Sequence, residues 1–166
     1  MYRVPYKYLL DPKGVLMSKT MVEMAEAVFR KLGAQAENPY NLPNAHIFAV
    51  QGNGEIRTII TAGDIYEALD EVASKPLASG DLVLGCETTG WASPITDDDD
   101  GEEIAPSQHP QRRRVRLVAL VSRKYEMASA LGFADDDEVI TDDGQARGTL
   151  ADALADAMRS MVARNN

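Results

Sequence analysis

One hairpin signal near the middle of the chain constrains the fold more than any other feature of the sequence. Residues 45–50 (AHIFAV) form a nearly continuous apolar run, and residues 55–61 (EIRTIIT) form a second run rich in β-branched side chains. Between them stand Asn53 and Gly54, the pair of residues that most favours a type I′ turn. The pattern predicts two antiparallel strands, and hence a fold built around an antiparallel sheet.

Three other segments carry apolar residues at helical spacing. The first opens after Thr20, which forms a capping box with Glu23, and Gly33 is placed to end it. We expect the second helix to open at Asp64 and the third at Thr149.

The remaining apolar runs read as strands at residues 81–89, 115–121 and 127–133. The predicted order of elements is therefore α-β-β-α-β-β-β-α. This order indicates an α+β fold, in which a five-stranded, mostly antiparallel sheet packs with about three helices.

The whole chain, residues 1–166, is expected to form a single domain. Its composition, 45% hydrophobic and 26% charged, is that of an ordinary globular protein. Residues 1–17 are expected to form an N-terminal arm, and residues 94–111 and 134–148 to form acidic or polar loops.

The expected compartment is the cytoplasm. Cys86 is the one cysteine, so the chain has neither an internal disulfide framework nor a cysteine-rich zinc site. The N-terminal residues do not read as a signal peptide, and no apolar run approaches the length of a membrane span.

Charge is distributed unevenly along the chain, whose formal net charge is −9. Residues 97–103 and residues 135–143 each carry six acidic residues, and without those twelve the remaining 14 acids face 17 lysines and arginines. The first acidic run is soon followed by Arg112, Arg113, Arg114 and Arg116. We expect this bipolar stretch to contact a partner, because interfacial charge sets orientation and association rate; a solvated loop beside a charged strand is the alternative.

The leading hypothesis is a non-enzymatic interaction or regulatory module that binds a partner protein through its charged loops and forms a homodimer. The candidate binding residues are Asp97, Asp98, Asp99, Asp100, Glu102, Glu103, His109, Arg112, Arg113, Arg114, Arg116 and Trp91.

No cofactor and no metal site is expected. The acidic runs do not fit the spacing of an EF-hand, and the chain has no P-loop, Gly-x-Ser-x-Gly, His-Glu-x-x-His or Cys-x-x-Cys motif. Cys86 lies in an apolar run, where we expect a buried, inert thiol, and His46 is expected to be a hydrogen-bonded residue of the sheet. These absences favour a protein that is not an enzyme without deciding the question.

Two alternatives stay open. A small-molecule binder or enzyme would use a pocket near Trp91, with Thr88, Thr89 or His109 as polar groups. A nucleic-acid-binding protein would use an exposed stripe of Arg112, Arg114 and Arg116, which share one face of a strand; the neighbouring acidic residues oppose this reading.

The order of elements resembles that of the roadblock, longin and profilin-like folds over residues 19–163. That resemblance implies dimerisation or a scaffolding role. The segments TTGWASP (88–94) and APSQHPQRRRVRLV (105–118) are similar to small uncharacterised proteins of actinobacteria and their phages, and imply no activity.

Overall fold

The computed structural model describes residues 7–10, 16–19, 21–93, 105–142 and 149–164, with backbone alone for the first two ranges. In chain order its strands and α-helices are β1 (Lys7–Leu10), β2 (Leu16–Lys19), α1 (Met21–Gln35), β3 (Ala45–Gln51), β4 (Ile56–Ala62), α2 (Ile65–Val72), β5 (Asp81–Ala92), β6 (Arg113–Ser122), β7 (Met127–Phe133), β8 (Val139–Asp142) and α3 (Thr149–Ala163). A short 3₁₀ turn, Pro106–Gln108, precedes β6.

Strands β3 to β8 form one six-stranded sheet in the order β4-β3-β5-β6-β7-β8, and every neighbouring pair is antiparallel. The predicted α+β class is confirmed. The sheet has one strand more than predicted, because β8 lies inside the stretch 134–148 that was expected to be a loop. Strands β1 and β2 form a separate two-stranded hairpin, in the region expected to be an arm.

The predicted hairpin of β3 and β4 forms, but the expected type I′ turn is wrong: four residues separate the strands, and Asn53 does not adopt the positive φ that a type I′ turn requires. Gly54 has a φ of +84°, the left-handed conformation that glycine adopts without steric cost. The Asn53 side chain accepts a hydrogen bond from the backbone N–H of Glu55 at 2.9 Å. Helix α2 opens as expected after Asp64, whose carboxylate accepts hydrogen bonds from the backbone N–H groups of Tyr66 and Glu67.

Helices cover both faces of the sheet. On one face the apolar side of α1 packs on β6, β7 and β8. On the other face α2 packs on β3 and β4, while α3 packs on α2, β5 and β6. The burial of apolar area in these two layers is the main source of stability in a fold of this kind.

The predicted end of the first helix is wrong. Helix α1 continues past Gly33 to Gln35, so Gly33 lies within its last turn. A Cβ atom at Gly33 would overlap the guanidinium of Arg116, so this glycine serves the close approach of an arginine to the helix. The expected capping residue Thr20 lies outside the described residues.

We predict that Gly85→Ala destabilises the protein by about 1–3 kcal/mol, the usual cost of overpacking a core. A Cβ at Gly85 would overlap the ring of Phe48 and stand 2.8 Å from Leu120 Cδ2. Gly90→Ala in the same strand is the matched control, because no heavy atom beyond its neighbours in the chain lies within 4 Å of its Cβ position. Urea unfolding measures both variants, and equal midpoints would contradict the packing described.

Candidate functional site

The arginine-rich segment forms the start of β6, and its register against β5 decides where each side chain goes. Trp91 lies opposite Arg114, and Thr89 lies opposite Arg116. Because alternate residues of a strand share a face, Arg114 and Arg116 project toward the α1 side of the sheet and Arg113 toward the other side.

Arg116 is buried, with 2% of its surface exposed. Its Nη1 donates a hydrogen bond to Glu87 Oε2 at 2.6 Å, and its Nη2 donates to the backbone carbonyl of Phe29 in α1. The guanidinium stands 3.7 Å from the centroid of the Phe29 ring, a cation–π distance. The expected exposed stripe of Arg112, Arg114 and Arg116 is therefore wrong, because the strand register carries Arg116 under α1.

Glu87 also joins Arg116 to the edge of the sheet. His46 Nδ1 lies 3.3 Å from Glu87 Oε1, and His46 Nε2 lies 2.9 Å from Thr58 Oγ1. The expectation that His46 is a hydrogen-bonded residue of the sheet is thus confirmed. The cluster is a chain of polar contacts across four strands, and the Nε of Arg116 is its one buried polar side-chain atom without a partner among the described residues.

Arg114 forms hydrogen bonds that hold the turn of residues 38–41 against the sheet. Its Nε donates to the carbonyl oxygen of Tyr40 at 2.7 Å, and its Nη2 donates to Asn41 Oδ1 at 3.2 Å and to Thr89 Oγ1 at 3.1 Å. The turn itself is closed by a backbone hydrogen bond from Asn41 N to the carbonyl of Asn38. All three acceptors of Arg114 among the described residues are neutral, so none of them neutralises its charge.

Trp91 is exposed over 40% of its surface and lies beside two guanidiniums. The Cζ atoms of Arg112 and Arg114 stand 4.8 and 5.0 Å from the centroid of its ring. Arg112 is exposed; its backbone N–H and its Nη1 donate to the carbonyl of His109 at 3.2 and 3.5 Å. Within the described part of the chain, neither Arg112 nor Arg114 pairs with a carboxylate.

A groove of about 620 Å³ adjoins these side chains. It is lined by Asn38, Pro39, Tyr40, Asn41, Trp91 and Arg114. We call this groove together with Arg112 the Trp–Arg site. It offers an aromatic face, two guanidiniums and the polar groups of a turn, which is the chemistry of a surface that recognises carboxylates and apolar groups.

Arg113 lies on the opposite face and does meet an acidic partner. Its Nε and Nη2 donate to the carboxylate of Asp135 at 3.1 and 2.7 Å, and Asp136 Oδ2 lies 3.9 Å away. The shared hydrogen bond raises the pKa of Arg113 and lowers the pKa of Asp135. Of the four arginines, Arg113 therefore contacts the second acidic loop.

The first acidic loop is not part of the described structure. Its candidate residues Asp97, Asp98, Asp99, Asp100, Glu102 and Glu103 lie outside the described residues.

Of the other polar residues expected to line a pocket near Trp91, the structure places one at the site and two away from it. His109 is half-buried and its Nδ1 accepts a hydrogen bond from the backbone N–H of Gln111 at 3.0 Å, so it shapes the turn before β6 and does not line the groove. Thr89 belongs to the site through Arg114, whereas Thr88 projects to the other face of the sheet.

Cys86 is fully buried, and this burial raises the pKa of its thiol from 9.0 to about 12. Among the residues described, no group of three or more histidine, cysteine or acidic side chains is placed to hold a metal ion. None of the helices described is both long and apolar enough to cross a membrane.

Comparison with known proteins found no match to any family model, to any curated protein or to any solved structure. Function is therefore argued from the geometry of the site.

We predict that Arg116→Met and Glu87→Met each destabilise the protein by about 3–5 kcal/mol, because each leaves a buried charge without its partner. The double variant is expected to cost clearly less than the sum of the two. The double-mutant cycle is measured by urea unfolding, with the exposed pair Arg159 and Asp156 as control, for which we expect a coupling under about 1 kcal/mol. Additive losses at Arg116 and Glu87 would contradict the pairing.

We predict that Cys86 does not react with a thiol reagent such as DTNB at neutral pH until the protein unfolds, since its thiol is buried and its folded pKa is raised. The same rise in pKa makes the stability of the fold depend on pH. The buried, neutral thiol stabilises the folded state fully below the unfolded pKa of 9.0, and this contribution is lost as the pH rises from there toward about 12. Cys86→Ser has no thiol, so it gives the background signal of the reagent. It should also lack the loss of folding stability at alkaline pH. Rapid labelling of the folded protein would contradict the burial.

Proposed function

We propose that this chain is a non-enzymatic interaction protein whose Trp–Arg site binds a partner protein. One observation carries the proposal: an exposed indole lies beside two guanidiniums that have no carboxylate partner in the described part of the chain. Tryptophan, tyrosine and arginine are the residues that most often dominate the energy of protein interfaces. Here Trp91, Tyr40 and Arg114 line one groove, and Arg112 lies beside Trp91.

The charge of the site specifies the chemistry of the partner. Arg112 and Arg114 bring two positive charges to a protein whose formal net charge is −9, so the site differs in sign from the chain as a whole. A carboxylate from a partner would exchange water for a charge-assisted hydrogen bond to Arg112, and an apolar side chain would cover the indole. The partner we propose therefore carries an acidic residue beside an apolar one.

Arg114 prepares the site for binding. Because its three hydrogen bonds hold the 38–41 turn against β5 and β6, the groove exists before a partner arrives. A preformed surface loses less conformational entropy on association than one that must be ordered. Self-association of the chain, which the resemblance to roadblock and longin folds implies, is part of the same proposal and would use a further surface.

We predict that Trp91→Ala and Arg112→Glu each reduce partner binding by at least about tenfold, corresponding to ~1.4 kcal/mol, as expected for residues at the centre of an interface. The immobilised wild type and variants are exposed to lysate of the source cells, and the retained proteins are quantified by mass spectrometry. Arg159→Glu is the matched control, since Arg159 is an exposed arginine of α3 on the other side of the sheet.

The partner found in this way is purified and titrated while the fluorescence of Trp91, the one tryptophan of the chain, is followed. Binding at the site shifts the indole emission toward shorter wavelength, because the partner displaces water from the ring. A set of retained proteins that is identical for wild type, Trp91→Ala and Arg112→Glu would contradict the proposal.

A second candidate function, the binding of a small molecule, is favoured by the size of the groove. Its volume of about 620 Å³ lies within the range of about 300–1,000 Å³ that is usual for ligand pockets, although the groove is wide open to solvent and would enclose a ligand only in part. The same fluorescence signal decides between the two candidates: a compound library screened on Trp91 emission would reveal a small ligand, and the absence of any hit beside a confirmed protein partner would exclude it.

A further inference from the structure

The described helices of the second face do not extend across the whole sheet. Helix α3 packs on β5 and β6, so β7 and β8 lie beyond it. The burial of β7 shows the consequence: the residues facing α1, Ala128, Ala130 and Gly132, are buried, whereas the alternate residues from Met127 to Phe133 are partly buried. On this second side Met127 packs against the cluster under α2 and α3, and the residues beyond it are only partly covered.

Apolar side chains occupy this partly covered side. Leu117 lies opposite Leu131, which lies opposite Ile140, so the three form a row across β6, β7 and β8. Phe133 stands two residues beyond Leu131 on the same side. Ile140 is 49% exposed, more than any other large hydrophobic residue in the described part of the chain. We call Leu117, Leu131, Phe133 and Ile140 the open face.

Negative charge borders the open face. The turn that joins β7 to β8 contains Asp135, Asp136, Asp137 and Glu138, all exposed. Arg113 sits over the ring of Phe133, 3.8 Å from its centroid, and pairs with Asp135. Asp137 and Glu138 form no ion pair with any described residue. Asp136 and Asp137 also line a groove with Arg116 and Val139 on the α1 side, whereas Glu138, two residues before Ile140, is on the side of the open face.

We propose that the open face binds a cationic amphipathic segment of a partner protein, whose apolar residues cover Ile140 and Leu131 and whose lysines or arginines meet the acidic turn. The negative charge of the acidic turn favours a cationic partner. A symmetric contact between two copies would bring two acidic turns together, and an anionic membrane or nucleic acid would be repelled in the same way. The surface is distinct from the Trp–Arg site, whose charge has the opposite sign.

The test uses a fluorescein-labelled ten-residue peptide of alternating lysine and leucine, with a peptide of alternating glutamate and leucine as its counterpart, and measures fluorescence anisotropy against the full chain. We expect the cationic peptide to bind and the anionic one not to bind. Ile140→Ser and Glu138→Lys should each weaken binding about fivefold or more. Added salt should weaken it as well.

Two control variants test whether the peptide binds at the open face and not elsewhere on the protein. Tyr66→Ser removes another exposed aromatic residue, 44% exposed on α2, and Trp91→Ala removes the anchor of the Trp–Arg site. Both should leave peptide binding within about twofold of wild type, and unchanged urea midpoints show that all variants are folded. Because Trp91→Ala should abolish binding at the Trp–Arg site but not binding of this peptide, the two proposals can fail separately.

Equal binding of the peptide to wild type and Ile140→Ser would overturn the proposal, and so would the absence of binding. In the latter case, amide hydrogen exchange at Leu131 and Ile140 identifies what occupies the face. Protection that increases with protein concentration would assign it to a second copy, and protection independent of concentration to another segment of the same chain.

Discussion

The buried ion pair of Arg116 and Glu87 is the interaction on which the arrangement of the site depends. Removing two charges from water costs several kcal/mol each, so such a pair persists in a core only with good geometry and further hydrogen bonds. Arg116 obtains them from the Phe29 carbonyl and the Phe29 ring, both in α1. The pair therefore connects the centre of the sheet to one particular turn of the helix that covers it.

Two glycines make this contact sterically feasible. Gly33 leaves room on α1 for the guanidinium of Arg116, and Gly132 on β7 leaves room for the ring of Phe29, since a Cβ there would stand 2.6 Å from Phe29 Cζ. The same Cβ would stand 2.7 Å from the hydroxyl of Tyr40. Small residues on two different elements thus allow the helix, the 38–41 turn and the sheet to approach closely around one cation.

The position of Arg116 in the core determines where the side chains of Arg114 and Arg112 lie. Arg114 lies two residues earlier on the same face, beyond the end of α1, where the backbone of Tyr40 accepts its hydrogen bond in place of a helix carbonyl. Arg112 lies a further two residues out and reaches solvent beside Trp91. One alternating run of arginines therefore passes from the core to the surface, and its outer members form the Trp–Arg site.

Sequence patterns predicted the elements well, because the hairpin of β3 and β4, the cap of α2 and the apolar runs of β5 to β7 are local signals. Strand β8 was missed because four residues after an acidic run carry too little alternation to be recognised; its pairing depends on β7. The burial of Arg116 was also missed, since arginine is rarely buried. Glu87 within the apolar run of β5 was the available signal, because a carboxylate in a buried strand requires a cationic partner.

The division of the arginines between core and surface is tested most directly by NMR of their guanidinium groups. For Arg116 we expect separate Nη signals, because hydrogen bonds to Glu87 and Phe29 restrict rotation, and slow exchange of these protons with water. For Arg112 we expect averaged signals that exchange rapidly. Exchange of the Arg116 guanidinium as fast as that of Arg112 would contradict the buried pair and the account of the site built on it.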